Sequence, residues 1–259
     1  MPYNQFVADN YLSLRKLCLY MSWKKSKWFF VVQALKYSRT KKEFTEIMAQ
    51  RQKWFASFDK NRNSVIDEST WLTQFAIRYL EQNVKSTHQV FEFGGGGSTL
   101  FFCKHAQTVY SVEDHPEWFK TLSETITRKG YTNWIGQFVP SEPYTGTQSR
   151  NPGDPDHFMS GAIGMEQLSF EQYATAINQY PDQFFDWVLV DGRARPSCLK
   201  QAIPHVKSGG YLVLDNSDRP YYLSFLKDEL GLSFNVVLDR AGPTLYTPDF
   251  TRTTIFQKK

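Results

Sequence analysis

The run VFEFGGGGSTL, residues 90–100 of 259, decides how this chain is read. It begins as a β-rich segment and breaks into four glycines, Gly94 to Gly97. These can take backbone angles and close approaches that a side chain would forbid. Ser98 and Thr99 then open a helix whose free amides face the loop, so a ligand can lie against bare backbone here. From residue 88 onward the same alternation repeats, with short β-rich runs separated by helical stretches, which is the signature of a parallel sheet covered on both faces. The spacing predicts strands over 89–93, 108–113, 133–139, 185–191, 210–215, 234–239 and 253–256, and helices near 98–105, 116–129, 170–180, 195–206 and 221–229. The run WVLV at 187–190 has the continuous apolar character of a strand buried on both faces, which places it centrally. Sheets of this kind bind ligands beyond the carboxyl ends of their strands, where strand order reverses.

The length implies one full domain plus an appendage, and we divide the chain into a helical, basic extension (1–86) and a main domain (87–259). With 41% apolar, 16% aromatic and 22% charged residues, collagen-like, coiled-coil and wholly disordered classes are excluded. No apolar run approaches the ~18 residues needed to cross a bilayer, and no apolar stretch with a cleavage site follows the first basic residue, Arg15. The chain is expected to be neither membrane-spanning nor secreted. Its three cysteines, Cys18, Cys103 and Cys198, fit neither a disulfide framework nor a zinc cluster, which points to a cytoplasmic home.

Charge is uneven. Met1 to Phe58 holds 11 Lys/Arg against 3 Asp/Glu, and the remainder holds 19 against 23. The stretch 11–42 lacks Gly and Pro, mixes lysines with Trp23, Trp28, Phe29 and Phe30, and reads as helical. Its apolar face is expected to pack on the main domain with its lysines solvated; contact with an anionic membrane surface or nucleic acid is the other reading. Asp59, Asn61, Asn63 and Asp67 stand at positions 1, 3, 5 and 9 of a calcium-loop pattern, with Ile66 at position 8. Ser64 replaces the turn glycine and Thr70 the bidentate glutamate, so we read a polar loop, with Asp67 or Ser69 capping a helix over 71–83.

Two acids flank the glycine loop. Glu113 ends the second strand 21 residues after Glu92, the spacing at which a carboxylate accepts both hydroxyls of a ribose. Glu92, beside the loop, would repel a pyrophosphate and attract an ammonium group. A nicotinamide dinucleotide carries the first and S-adenosylmethionine the second, without any phosphate.

These features resemble the class I S-adenosylmethionine-dependent methyltransferases over residues 71–259. The matching motifs are E-F-G-G-G-G-S-T at 92–99, V-Y-S-V-E-D-H-P-E-W at 109–118, F-D-W-V-L-V-D-G at 185–192 and G-G-Y-L-V-L-D-N at 209–216. The resemblance implies an α/β fold, a seven-stranded Rossmann-like sheet with an antiparallel last strand, here carrying the N-terminal helical extension. It implies that Glu92, Gly94, Gly95, Gly96 and Ser98 flank the methionine part of the cofactor, that Glu113 holds the ribose, and that Asp114 and Ser141 border the adenine.

On the acceptor side, Asp191, Asp215 and Asn216 look like the Mg²⁺-binding trio of catechol-type O-methyltransferases, where a hard cation binds acceptor oxygens and lowers a hydroxyl pKa. The lysine base those enzymes place three residues past the first aspartate is Ala194 here, between Arg193 and Arg195, whose forks suit an anionic acceptor. Asp191 and Asp215 are candidate catalytic bases, with His115 a weaker one, and Cys198 reads as a buried thiol. No amine-methylating N/D-P-P-Y/F motif is present at this strand. The Pro- and Gly-rich segment 140–182 is too long for an ordinary connection and reads as a lid, with Trp71 on the opposite wall. The expected activity is methyl transfer to a small-molecule or glycan-like acceptor, at oxygen more than nitrogen. The alternatives are a nicotinamide-dependent oxidoreductase and a non-catalytic cofactor-binding module with a basic arm.

Overall fold

The structure, a computed structural model, describes residues 26–259. Seven strands build one sheet: β1 (Gln89–Phe93), β2 (Thr108–Glu113), β3 (Trp134–Phe138), β6 (Phe185–Val190), β7 (Val206–Asp215), β8 (Phe234–Pro243) and β9 (Phe250–Lys258). Their order is β3-β2-β1-β6-β7-β9-β8. β1 pairs in parallel with both β2 and β6, while β9 runs antiparallel between β7 and β8. Strand order therefore reverses between β1 and β6, and any ligand crevice belongs at their carboxyl ends.

Side-chain alternation divides the core. Phe91, Phe93, Val188, Val190 and Leu212 face one side, against Tyr173 and Leu199. Val90, Trp187, Leu189 and Val213 face the other, beneath α4 (Gln74–Asn83) and α5 (Gly97–His105). Trp187 to Val190 are fully buried, as expected of a central strand. α6 (Pro116–Lys129) covers the β2–β3 end. It starts with proline in its first turn and stops at Gly130, whose φ is 76°.

Several boundaries differ from expectation. β7 begins at Val206 because Gly209, at φ 75°, lets the strand continue through the glycine pair. β8 and β9 form a hairpin that outruns the expected strands, and the helix expected over 170–180 divides into α7 (Glu171–Thr175) and a 3-10 turn (Ala176–Gln179). The helix expected over 221–229 becomes a 3-10 turn (Pro220–Tyr222) and α9 (Lys227–Ser233).

Of the expected basic helix over 11–42, residues 11–25 lie outside the described residues, and the rest is two helices. α1 (Lys27–Tyr37) stops, and Thr40 caps α2 (Lys41–Ala49) by accepting the Glu43 amide at 3.1 Å while Glu43 accepts the Arg39 amide at 2.6 Å. T-K-K-E has the sequence pattern of a capping box, with the glutamate here taking the amide one residue before the cap, and it is a stronger boundary signal than the lack of Gly and Pro. α3 (Arg51–Ala56) follows directly. α4 likewise starts three residues later than expected, capped by Thr73 and not by Asp67 or Ser69. Asp67 instead pairs with Arg62 at 2.9 Å and accepts the Tyr246 hydroxyl at 2.8 Å. In the preceding polar loop, Asp59 and Asn63 oxygens accept the amides of Asn61 and Ile66.

The described part of the extension shares a core with the main domain. Phe29, Phe30, Ala34, Ile47 and Trp54 enclose Phe250 of β9, and the Trp54 indole donates to the Thr247 carbonyl at 3.2 Å. No residue of the 140–182 segment lines the cavity at the strand ends, so it does not form the expected lid in this structure. Its short β4 (Glu142–Pro143) and β5 (Leu168–Ser169) pair with each other, and Phe170, Tyr173 and Ile177 join the core. Asp156 binds Lys200 of α8 (Arg195–His205) at 2.6 Å. Burying these apolar side chains against α8 holds the segment down.

Candidate functional site

A cavity of about 720 Å³ opens at the carboxyl ends of β1, β2, β6 and β7. Gly94 to Gly97 form its floor. Gly94, at φ 92°, lies so close to the loop after β6 that a Cβ here would stand 2.9 Å from the Cα of Gly192. Gly97 is pinned from the other side: a Cβ there would come within 2.5 Å of the Ser64 carbonyl oxygen. The glycine loop is thus clamped between the β6 loop and the N-terminal segment, leaving its upper face to the cavity.

Glu113 closes the β2 side. Its Oε2 accepts the Gly95 amide at 3.1 Å, and its Oε1 accepts the amides of Asp114 and His115 at 3.1 and 3.0 Å. Burial pushes its carboxyl up to about 7 despite these three donors. Beside it the Trp118 indole donates to the Gly95 carbonyl at 2.6 Å and lines the cavity. Trp118 was the last residue of a recognised motif, yet nothing in its spacing marked it as a site residue.

Glu92 is not at the cavity. Alternation places it on the α5 side of β1, fully buried, where it accepts the Ser98 hydroxyl at 2.8 Å and that of Thr99 more closely. Burial pushes its carboxyl up to about 8, with the two hydroxyls opposing the shift. Its role in the fold is to anchor the first turn of α5, and the expectation that it flanks a cofactor ammonium is corrected accordingly. Ser98 does line the cavity, whereas Ser141 and the rest of 140–182 do not, because that segment packs on α8.

Asp191, Asp215 and Asn216 converge, as adjacent strand ends should, but they converge on Arg195. Its Nε donates to the Gly192 carbonyl at 3.1 Å. Its Nη1 donates to the Asp215 carbonyl and Asn216 Oδ1 at 2.5 and 3.2 Å, and its Nη2 to the Asp191 carbonyl and Oδ1 at 2.7 and 3.0 Å. Asp215 Oδ2 lies 4.0 Å away. A divalent ion does not fit among these three residues, since a buried guanidinium already stands between them. The expectation that Arg195 anchors an acceptor anion is also corrected, because its N–H groups are turned inward. Asp215 additionally accepts the Thr253 hydroxyl at 2.8 Å, and its carboxyl is pushed up to about 8 by burial and then by the charge of Asp191. Asp191 is raised by burial with Arg195 opposing, and it is in hydrogen-bond contact with Asp215.

Arg193 leans the other way, 3.4 Å from Asp114, and bridges the β6 and β2 tips. His115 caps α6, its Nδ1 accepting the Trp118 amide at 3.3 Å. Cys198 is fully buried and its thiol donates to the Arg193 carbonyl; burial raises its pKa far out of reactive range. The far wall combines Trp71, 52% exposed, with Thr244 and Thr247 of the β8–β9 connection, Thr251 at the start of β9, and Asp218 and Arg219 after β7. Trp71 was expected there; the threonines were not, because only the longer hairpin brings them to the cavity.

Solved structures with this fold include two described as methyltransferases. A Streptococcus mutans protein, SMU.1697c, described as a methyltransferase and solved in complex with SAH, superimposes with a TM-score of 0.50 at 12% identity, covering 72% of this chain and 97% of that one. The fold is that of the class I S-adenosylmethionine-dependent methyltransferases. A Klebsiella pneumoniae protein described as an O-methyltransferase matches the same methyltransferase fold with a TM-score of 0.50 at 12% identity, covering 83% of this chain and 89% of that one. No protein-family profile matches the sequence, and a search of curated proteins found no match. Among the described residues of this methyltransferase fold, no helix is long and apolar enough to cross a membrane.

Proposed function

We propose that the chain binds S-adenosylmethionine between Glu113 and the glycine loop and transfers its methyl group to a hydroxyl of a small, glycan-like acceptor. The observation that carries this reading is the placement of Glu113, a buried carboxyl group at the tip of β2 that holds the bare backbone of the glycine loop beside the switch point. The charge of the cavity supports it. Six carboxyl groups line it against three arginines and no lysine; even with one proton shared by Asp191 and Asp215 and Glu113 raised to about 7, the field stays negative, which favours a sulfonium with an ammonium and disfavours the pyrophosphate of a nicotinamide cofactor.

When bound, the cofactor supplies an already activated methyl group, so the protein has chiefly to orient and deprotonate the acceptor. Asp191 and Asp215 together hold one proton near neutrality, since both are raised and in contact. Asp191, paired with Arg195 and the more exposed of the two, is the ionised member and accepts the acceptor's proton. Trp71 offers a flat apolar face, while Thr244, Thr247, Asp218 and Arg219 offer donors and acceptors around it, a combination suited to a sugar ring. Arg193, tied to Asp114, spans the boundary between the two halves of the cavity.

Parallel calorimetry with S-adenosylhomocysteine and NADH tests the cofactor. Heat from the first alone is expected, and heat from NADH alone overturns the reading. Release of S-adenosylhomocysteine across sugars, phenols, amines and RNA tests the acceptor; turnover confined to amines or RNA overturns the hydroxyl assignment.

A further inference from the structure

We infer that the Arg195 guanidinium is the resident cation of the acceptor-side trio Asp191, Asp215 and Asn216, so that this protein uses no divalent metal there. An arginine has five N–H donors in a rigid fork. All five are engaged, by three backbone carbonyls from the tips of β6 and β7 and by the side-chain oxygens of Asp191 and Asn216. The side chain is 9% exposed and lies against the Tyr222 ring at 5.4 Å, so displacing it would break five hydrogen bonds and this contact together. A hard cation in the same position would need those same oxygens as ligands. The two occupants exclude each other, both by volume and by charge.

Ala194 shows that the arrangement is built and not incidental. It sits at φ 42°, a left-handed backbone that is unfavourable for a residue with a Cβ, and it is the residue that turns the chain so that Arg195 points back under Asp191. Asn216 takes φ 51° on the opposing strand tip. Both bends are closed over by the one guanidinium.

The inference rests on the methyltransferase reading for the identity of this half of the cavity, and it changes what the acceptor must offer. A metal selects substrates with two adjacent oxygens that chelate it. A guanidinium with every donor turned inward selects nothing directly. Arg195 is therefore a positioning residue that holds Asp191 for contact with the acceptor, and an acceptor with one isolated hydroxyl is as suitable as a vicinal pair.

Mn²⁺ titration followed by electron paramagnetic resonance tests this in the full-length chain, with S-adenosylhomocysteine calorimetry on the same sample. The expected result is no stoichiometric Mn²⁺ site and cofactor-product binding that is indifferent to chelator. One Mn²⁺ per chain, lost in Asp215→Asn, overturns the inference. Loss of S-adenosylhomocysteine binding without Mn²⁺ uptake instead overturns the cofactor reading, so the two failures are distinguishable. Arg195→Ala supplies the converse. Opening the trio is expected to create Mn²⁺ binding at least about tenfold tighter than in the native chain, by freeing the Asp191 carboxylate and the Asn216 amide oxygen and removing the cation beside Asp215. Mn²⁺ should also raise the variant's melting temperature while leaving the native chain unchanged. A folded Arg195→Ala that gains neither property counts against the inference, and if that variant does not fold, the native-chain titration decides alone.

Discussion

Trp118 and Gly95 are joined through the indole N–H, which donates to the Gly95 carbonyl at 2.6 Å and fixes the first turn of α6 to the glycine loop. The bond orients a carbonyl whose own amide is held by Glu113, so the two side chains grip one residue from both of its polar ends. Trp118→Phe keeps an aromatic ring, smaller than the indole, and removes the donor. It is expected to weaken S-adenosylhomocysteine binding by roughly tenfold, equivalent to about 1–2 kcal/mol for one hydrogen bond and the order it imposes. Unchanged affinity by calorimetry would show that the loop holds its shape unaided.

Stability should fall as pH rises. Glu92, Glu113 and Asp215 are pushed to about 8, about 7 and about 8 from ordinary values of 4.5, 4.5 and 3.8. Between these limits the folded chain binds more protons than the unfolded chain, so their contribution is complete below the unfolded values and is lost as pH rises through the folded ones. The melting temperature of the ligand-free chain is expected to decline from pH 5 to pH 8 and then level. Glu92→Gln should shallow that decline while leaving S-adenosylhomocysteine affinity intact, since Glu92 lies outside the cavity. A slope identical to the native one would refute the assignment of Glu92.

Gly96 and Gly97 should separate binding from folding. A Cβ on Gly96 meets nothing nearer than 3.6 Å, at the Trp118 ring, whereas one on Gly97 collides with the backbone of Ser64 and Ser69. Gly97→Ala is expected to cost more than about 2 kcal/mol through forced backbone movement. Gly96→Ala should keep its melting temperature and lose affinity for S-adenosylhomocysteine. Denaturant melts and calorimetry on the two variants check this, and equal destabilisation would contradict it.

Ala194→Gly is expected to stabilise the chain or leave it unchanged, because relief of the left-handed conformation, worth about 1 kcal/mol, is set against the greater freedom of glycine in the unfolded chain. Ala194→Val, β-branched at the same φ, should destabilise clearly. Thermal melts distinguish the pair.

Much of the fold was legible because its boundaries are chemical. β1, β2 and α6 lie where glycine, proline and alternation placed them. Glu92 was misplaced although its direction was readable: it shares the face of Val90, which packs under the helices, and period-two alternation should have sent it there. Arg195 was beyond the sequence, since its partners Asp191 and Asp215 are four and twenty residues away and meet only through the register of β6 against β7. The same limit applies to 140–182, whose prolines and glycines announce an irregular segment and say nothing about which surface receives it.

Gly94 and Gly192 leave a final consequence. A Cβ on Gly94 would stand 2.9 Å from the Gly192 backbone, and one on Gly192 would collide with the Tyr173 hydroxyl while standing 3.0 Å from the Gly94 amide, so the two turns fit only as a matched pair. Engineering of this scaffold should treat them as a single heritable unit: a transplanted phosphate- or sulfonium-binding turn would have to bring its neighbour from across the switch point, or the graft will not close.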